Sequence, residues 1–205
     1  MNTEITDTSK KHLQNVYQQI GLHTTMASIA GDENELLIIK TNFNYGGRPE
    51  KRLFRSDFRR MNLGSGDYNT EIIYPVMERK QIKKEVWDNE NMIIEKYIAN
   101  KGNCIYRVYK LLNKIVITEV IENGLIKKMV TAIQRPNYYY NLNNNDVLPG
   151  GDLKFVDLLA SIVPFCLALN LDFAAIDVVK SDENKYYIID VNVTPNWKGI
   201  IKVKK

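Results

Sequence analysis

The chain has 205 residues, 44% of them hydrophobic and 25% charged, with a formal net charge of +4. That length suffices for one domain, or for two tightly joined lobes, with a substantial core. The charge is too small to argue for nucleic acid, no apolar run is long enough to span a bilayer, and the polar start Met1-Asn2-Thr3-Glu4 is unlike a secretion signal. Cys104 and Cys166 are therefore expected as free thiols in a reducing, cytoplasmic setting. Neither has a histidine at ligand spacing, so no zinc site is expected, and His12 and His23 are read as bystanders.

In chain order, Asp7-Thr8-Ser9 offers an N-cap for a helix over 10–20, where Leu13, Val16, Tyr17 and Ile20 recur at helical spacing and Gly21 supplies a stop. A short strand is expected over 22–28, a turn over 31–34 and a buried strand over 35–41. A polar loop follows over 42–48. Residues 55–60 and 78–88 read as helical or irregular. A short apolar strand is expected over 92–97, then a hairpin of 106–112 and 114–122 around Asn113, then a strand over 127–133. The Asn- and Gly-bearing stretch 137–151 reads as loop, and 153–169 as an apolar helix despite Pro164. Two apolar runs, 171–179 and 186–193, flank a polar turn and predict a second hairpin. Strands and helices mix without regular βαβ alternation, which argues for α+β with largely antiparallel sheets.

That last hairpin carries three polar side chains where apolar ones would suit a buried strand. Asp177 lies between Ile176 and Val178, Asp190 between Ile189 and Val191, and Asn192 two residues further on the same face as Asp190. An isolated buried carboxylate is expensive. Three oxygen donors converging on one face would suit a hard cation such as Mg²⁺. The plainer alternative is two exposed acids on an edge hairpin.

Earlier, Lys40 ends an apolar strand and is followed by Gly46-Gly47, whose backbone amides can approach an anion closely. A hairpin turn beside a surface lysine is the ordinary alternative. Residues 48–60 hold six basic side chains against two acids. They form either a solvated face or a groove for an anionic acceptor, and no nucleic-acid motif accompanies them.

Asp177, followed thirteen residues later by Asp190-Val191-Asn192 and then Thr194-Pro195, resembles the terminal metal-binding hairpin of the ATP-grasp superfamily. The resemblance covers nearly the whole chain. It implies an α+β ATP-grasp fold in which two lobes, about 22–95 and 96–205 after an N-terminal helix over 1–21, form one domain with nucleotide between them. It implies ATP and Mg²⁺, with the metal on Asp177, Asp190 and Asn192. Asp190 stands where the family usually has Glu. Lys40 resembles the lysine that meets the α- and β-phosphates, Gly46 and Gly47 the flap over the triphosphate, and Lys10 a lysine of the opening helix that also reaches phosphate, with Lys11 as competitor. Glu95, Lys96, Tyr97 and Ile98 resemble the hinge whose backbone reads adenine. Arg107 resembles an arginine near the family's active site, with a solvent-facing strand residue as its plainer reading. Arg135 is preferred to Lys127 and Lys128 at the γ-phosphate. Asn103 is a candidate for the ribose. Ala175 stands where several amino-acid ligases carry an arginine.

The function implied is an ATP- and Mg²⁺-dependent ligase that forms an amide through an acyl phosphate, with Lys40 and Arg135 as its catalytic cations. The alternatives are an ATP-grasp kinase acting on a hydroxyl of an anionic sugar or polymer, and a non-catalytic nucleotide-binding or assembly subunit. The acceptor is expected to be a small molecule, peptide or sugar polymer, anionic in keeping with residues 48–60. The family usually carries a further α/β domain before this point. A homo-oligomer or a partner protein is expected to complete the acceptor side.

Overall fold

The computed structural model describes residues 2, 4–5, 7–43, 74–100, 102–121, 133–134, 138–142, 146–147 and 155–193. The first element is helix α1 (Lys10–Gln19). Ser9 is extended and its side chain accepts from the His12 amide, which satisfies one of the orphan donors of the first turn. The helix buries Leu13, Val16 and Tyr17 and ends at Gly21, whose φ of +76° reverses the chain without a side-chain clash.

Three strands, β1 (Leu36–Thr41), β2 (Val76–Glu78) and β3 (Met92–Lys96), form a small antiparallel sheet in the order β2-β1-β3. Leu37, Ile39, Met92 and Ile94 pack there against Ile82 and Val86. Val86 belongs to the short helix α2 (Lys84–Trp87), which follows a single 3₁₀ turn at Arg79–Gln81. The strand expected over 22–28 is reduced to a bridge between Met26 and Glu95. Side chains take the donors that a ladder would use: the Thr25 amide donates to Gln14 and the Met26 amide to Thr24 Oγ1.

The second sheet holds β4 (Cys104–Leu111), β5 (Lys114–Ile121), β6 (Ile133–Gln134), β7 (Tyr138–Asn141), β8 (Asp146–Val147), β9 (Phe173–Lys180) and β10 (Tyr186–Asn192). Its order is β10-β9-β4-β5-β7-β8, with β6 also on β5, and every pairing is antiparallel. The 137–151 stretch is thus not all loop. Tyr138 to Tyr140 pair with Ile117 to Ile115, and Tyr140 is buried. The asparagines of that stretch hid a strand whose burial comes from its partner.

Helix α3 (Val156–Ala168) keeps Pro164 inside it and buries Leu158, Ile162, Phe165 and Cys166. These residues, with Leu13, Val16 and Tyr17 of α1, pack on one face of the large sheet against Val108, Ile117, Ile176, Val178, Ile188 and Val191. Tyr17 stacks on Phe165 at 4.3 Å between centroids. Both cysteines are free thiols, and burial pushes Cys166 up to about 12. Among the described residues, no helix is long and apolar enough to cross a membrane. The architecture is the expected α+β one with antiparallel sheets.

Candidate functional site

The face of the large sheet opposite α3 carries the charge. Strand pairing sets Arg107, Asp177 and Asp190 in one row across β4, β9 and β10. Residues directly opposite one another share a face, so all three side chains point the same way. Arg107 Nε lies 3.6 Å from Asp177 Oδ1, and the Arg107 guanidinium also sits over the Tyr109 ring. Asn192 follows Asp190 by two residues and pairs with Ala175.

A cluster from other elements meets this row. Lys10, at the start of α1, has its ammonium 3.3 Å from Asp190 Oδ1. Its helix is anchored to the end of β1, because the Lys10 amide donates to the Asn42 carbonyl and the Lys11 amide to the Asn42 side chain. Lys11 itself turns to the carbonyls of Asn89 and Glu90. Lys40, near the end of β1, lies 2.5 Å from Glu95 Oε2 and donates to the Ile189 carbonyl at 2.8 Å. Glu95 is 1% exposed and also accepts from Gln14 and Thr25, at 3.0 and 2.6 Å. A buried carboxylate needs such company, since an uncompensated one would cost several kcal/mol.

Together these groups line a cleft between the two sheets that opens to solvent. Its charged end is Lys10, Lys40, Glu95, Asp177 and Asp190; its apolar wall is Ile38, Ile98, Ile105, Val179 and Ile189. Behind the wall, Ile105 and Val179 form a small buried cluster with Val120, against which Ile98 and Ile189 pack. Backbone groups of the 95–98 segment are partly committed. The Lys96 amide donates to Thr25 and the Tyr97 amide to Leu36, which leaves Ile98 without a hydrogen bond among the described residues and facing the cleft.

Asp177 carries an electrostatic signature of its own. Burial pushes its carboxyl up to about 6, Arg107 pulls it down, Asp190 pushes it further up and Lys40 pulls it down. Its Oδ1 is buried without a hydrogen bond. Among the described residues no three His, Cys, Asp or Glu side chains are grouped to hold a metal. The set present is two facing carboxylates with an amide two residues on. Hard oxygen donors of this kind, one of them desolvated and repelled by its neighbour, fit a small divalent cation that keeps other ligands of its own.

The residues singled out in sequence divide clearly. Lys10, Lys40, Glu95, Lys96, Tyr97, Ile98, Asp177 and Asp190 all line the cleft. Asn192 is half-buried on the same strand as Asp190 but is not among the lining residues. Asn103 does not line the cleft either, whereas Asn100 does. Gly46, Gly47, Arg135, Lys127, Lys128, Thr194, Pro195 and the basic run 48–60 lie outside the described residues. Gln14 and Thr25 were missed. The available signal was a glutamine beside Leu13 on the apolar face of an amphipathic helix, where burial demands partners.

No family model and no curated protein matches this sequence. Solved structures do. PsnB, an ATP-grasp ligase complexed with a phosphomimetic variant of a minimal precursor, Mg and ADP, matches with a TM-score of 0.52 at 10% identity, over 93% of this chain and 51% of its own. A RiPP-associated ATP-grasp ligase of Chryseobacterium gregarium, in complex with ADP and a leader and core peptide, gives 0.53 at 15% identity over 92% and 52%. An L-amino acid ligase from Bacillus licheniformis gives 0.56 at 11% identity over 94% and 41%. The chain spans about half the length of the first two. At such identity the likeness is one of fold.

Proposed function

We propose that this chain, which has the ATP-grasp fold, forms the nucleotide site of an ATP- and Mg²⁺-dependent ligase. The observation that carries the reading is the single cleft that joins two lysines from separate elements, two facing carboxylates and an apolar wall beside the Ile98 amide. An adenine ring would lie against Ile38, Ile98, Ile105, Val179 and Ile189, with the Ile98 N–H as a donor to a ring nitrogen. Lys10 and Lys40 would meet the phosphates, Lys40 exchanging part of its contact with Glu95 for phosphate oxygen. Asp177 and Asp190, with Asn192 next on β10, would hold Mg²⁺, which when bound neutralises phosphate charge. Positioning and charge neutralisation are most of what phosphoryl transfer asks of a protein.

In this reading an acceptor carboxylate oxygen attacks the γ-phosphorus. The bond from that phosphorus to the β,γ-bridging oxygen breaks, and ADP leaves. An amine then attacks the acyl carbon, inorganic phosphate departs with the C–O bond electrons, and the amine loses a proton to give the amide. Lys40 would stabilise the charge that develops on the phosphates, and Arg135 is retained as a candidate at the γ-phosphate. A peptide acceptor is favoured over a small molecule or sugar polymer, because two of the matched ligases are complexed with precursor or leader and core peptides. Further acceptor contacts would lie in the part of those ligases that this chain does not span.

Calorimetric titration of ATP, with and without Mg²⁺, tests the reading on the wild-type chain and on Asp190→Asn. Mg²⁺-dependent binding that is lost in the variant is the expected result. Absence of nucleotide binding in every condition would overturn it.

A further inference from the structure

Strand β10 departs from regular alternation at one point, and that point decides where Asp190 goes. Ile188 pairs with Val178 and Asp190 with Asp177, so Ile189 is an extra residue with no partner on β9. The side chains show the same shift. Ile188 and Val191, three apart, both enter the core under α3, while Ile189 and Asp190, adjacent in sequence, both line the cleft. In an unbroken ladder Asp190 would stand opposite Ile176, a core residue, and its carboxylate would point into apolar packing. The bulge turns it to the cleft side, opposite Asp177.

A bulge leaves ladder groups to be satisfied elsewhere. Here the two consecutive carbonyls at the irregularity are taken by side chains from other elements. Gln14 Nε2 donates to the Ile188 carbonyl at 3.3 Å, and Lys40 Nζ to the Ile189 carbonyl at 2.8 Å. Gln14 is 4% exposed and its amide is fully used. Its nitrogen also donates to Glu95 Oε1 at 3.0 Å, and its oxygen accepts from Thr24 Oγ1 at 2.7 Å and the Thr25 amide at 2.9 Å. It stands one helical turn from Lys10, on the same face of α1, so adjacent positions of one helix hold the bulge and the carboxylate that the bulge presents.

We propose that Gln14 is a positioning residue: by pinning the Ile188 carbonyl and orienting Glu95, it holds the β10 bulge in the register that sets Asp190 beside Asp177. The inference rests on the nucleotide-site reading for its effect on binding, though not for its effect on the strand. Partners one step removed from a metal ligand set that ligand's orientation, and their loss commonly costs about 10- to 100-fold in metal affinity.

The test uses the full chain as wild type, Gln14→Leu, the milder Gln14→Asn (which keeps an amide but shortens its reach), a deletion of Ile189, and the deletion combined with Gln14→Leu. Deleting Ile189 restores strict alternation with Asp190 still opposite Asp177, so the pin becomes unnecessary. Amide hydrogen exchange over 186–193 and calorimetric ATP affinity with and without Mg²⁺ are read on each. The expected result is faster exchange over 186–193, and at Thr25, whose amide Gln14 also holds, in Gln14→Leu or Gln14→Asn, with the Mg²⁺-dependent gain in ATP affinity reduced about 10- to 100-fold and metal-free affinity kept. In the deletion background Gln14→Leu should no longer change exchange at 186–193. Unchanged exchange at 186–193 in folded Gln14 variants would overturn the proposal, as would the same rise in exchange with and without the deletion. If the wild type shows no Mg²⁺-dependent nucleotide binding, the site reading fails, and the exchange measurements still decide whether Gln14 pins the strand.

Discussion

Lys40 meets two demands that pull in different directions. It neutralises Glu95, a nearly inaccessible carboxylate, and it is the proposed partner of the nucleotide phosphates. Breaking a buried ion pair by removing one partner costs about 3–5 kcal/mol, so Lys40→Met should lower stability as well as affinity. The two effects separate when ligands are compared. ATP affinity should fall more than adenosine affinity, because the ammonium meets phosphate and not the base; equal losses would take Lys40 out of the phosphate site. At this scale the chain was readable where a residue broke its local pattern, as Asp177 and Asp190 do within Val and Ile. It was unreadable where two neighbours were equivalent. Lys10 and Lys11 look alike in sequence, and only the phase of α1, set by its cap and by Leu13, Val16 and Tyr17, turns Lys10 to the cleft and Lys11 away.

Among the elements, the small sheet depends on a clamp that has little to do with periodicity. Arg79 is buried, donates to the Ser28 and Asp32 carbonyls, pairs with Glu35 and lies over the Trp87 ring. It thereby ties the 28–35 turn to the end of β2. Gly31 leaves it room, since a Cβ there would come within 2.7 Å of the guanidinium. Gly31→Ala should therefore destabilise the fold by about 1–3 kcal/mol, the usual cost of overpacking, which thermal or urea unfolding would show; an unchanged midpoint would mean that Arg79 can withdraw freely. Strands with continuous apolar runs (β1, β3, β9) were legible because burial on both faces needs no alternation. β7 was not, because Tyr138-Tyr139-Tyr140 sits among asparagines and its strand character comes from pairing with β5. The 22–28 segment is reduced to a bridge for the opposite reason, since the Gln14 and Thr24 side chains took the Thr25 and Met26 amides.

Across the whole molecule, the cleft draws on α1, β1, β3, β4, β9 and β10, so a ligand that fills it should stabilise the chain as one unit. Nucleotide at a hundredfold excess over its Kd should add about 2.7 kcal/mol. For a chain of this size that corresponds to a rise in Tm of about 5–10 °C. Asp177→Asn should keep the shift produced by ATP alone and lose the increment produced by Mg²⁺; an intact increment would remove Asp177 from the metal site.

The sequence by itself determined the α+β class, the terminal hairpin with its two carboxylates, the lysine that closes β1 and the resemblance to ATP-grasp proteins. Each of these is written in local spacing, where a two-residue or 3.6-residue period or a polar residue in an apolar run is visible over a few positions. Tertiary structure decided the partners: Glu95 against Lys40, Lys10 against Asp190, Arg107 beside Asp177, Gln14 against Glu95, and the extra residue in β10 that turns Asp190 to the cleft. These side-chain contacts join residues about 55 to 180 positions apart, and their geometry depends on strand register and helix phase. Both are set by how the whole core packs, and no short window of sequence contains that.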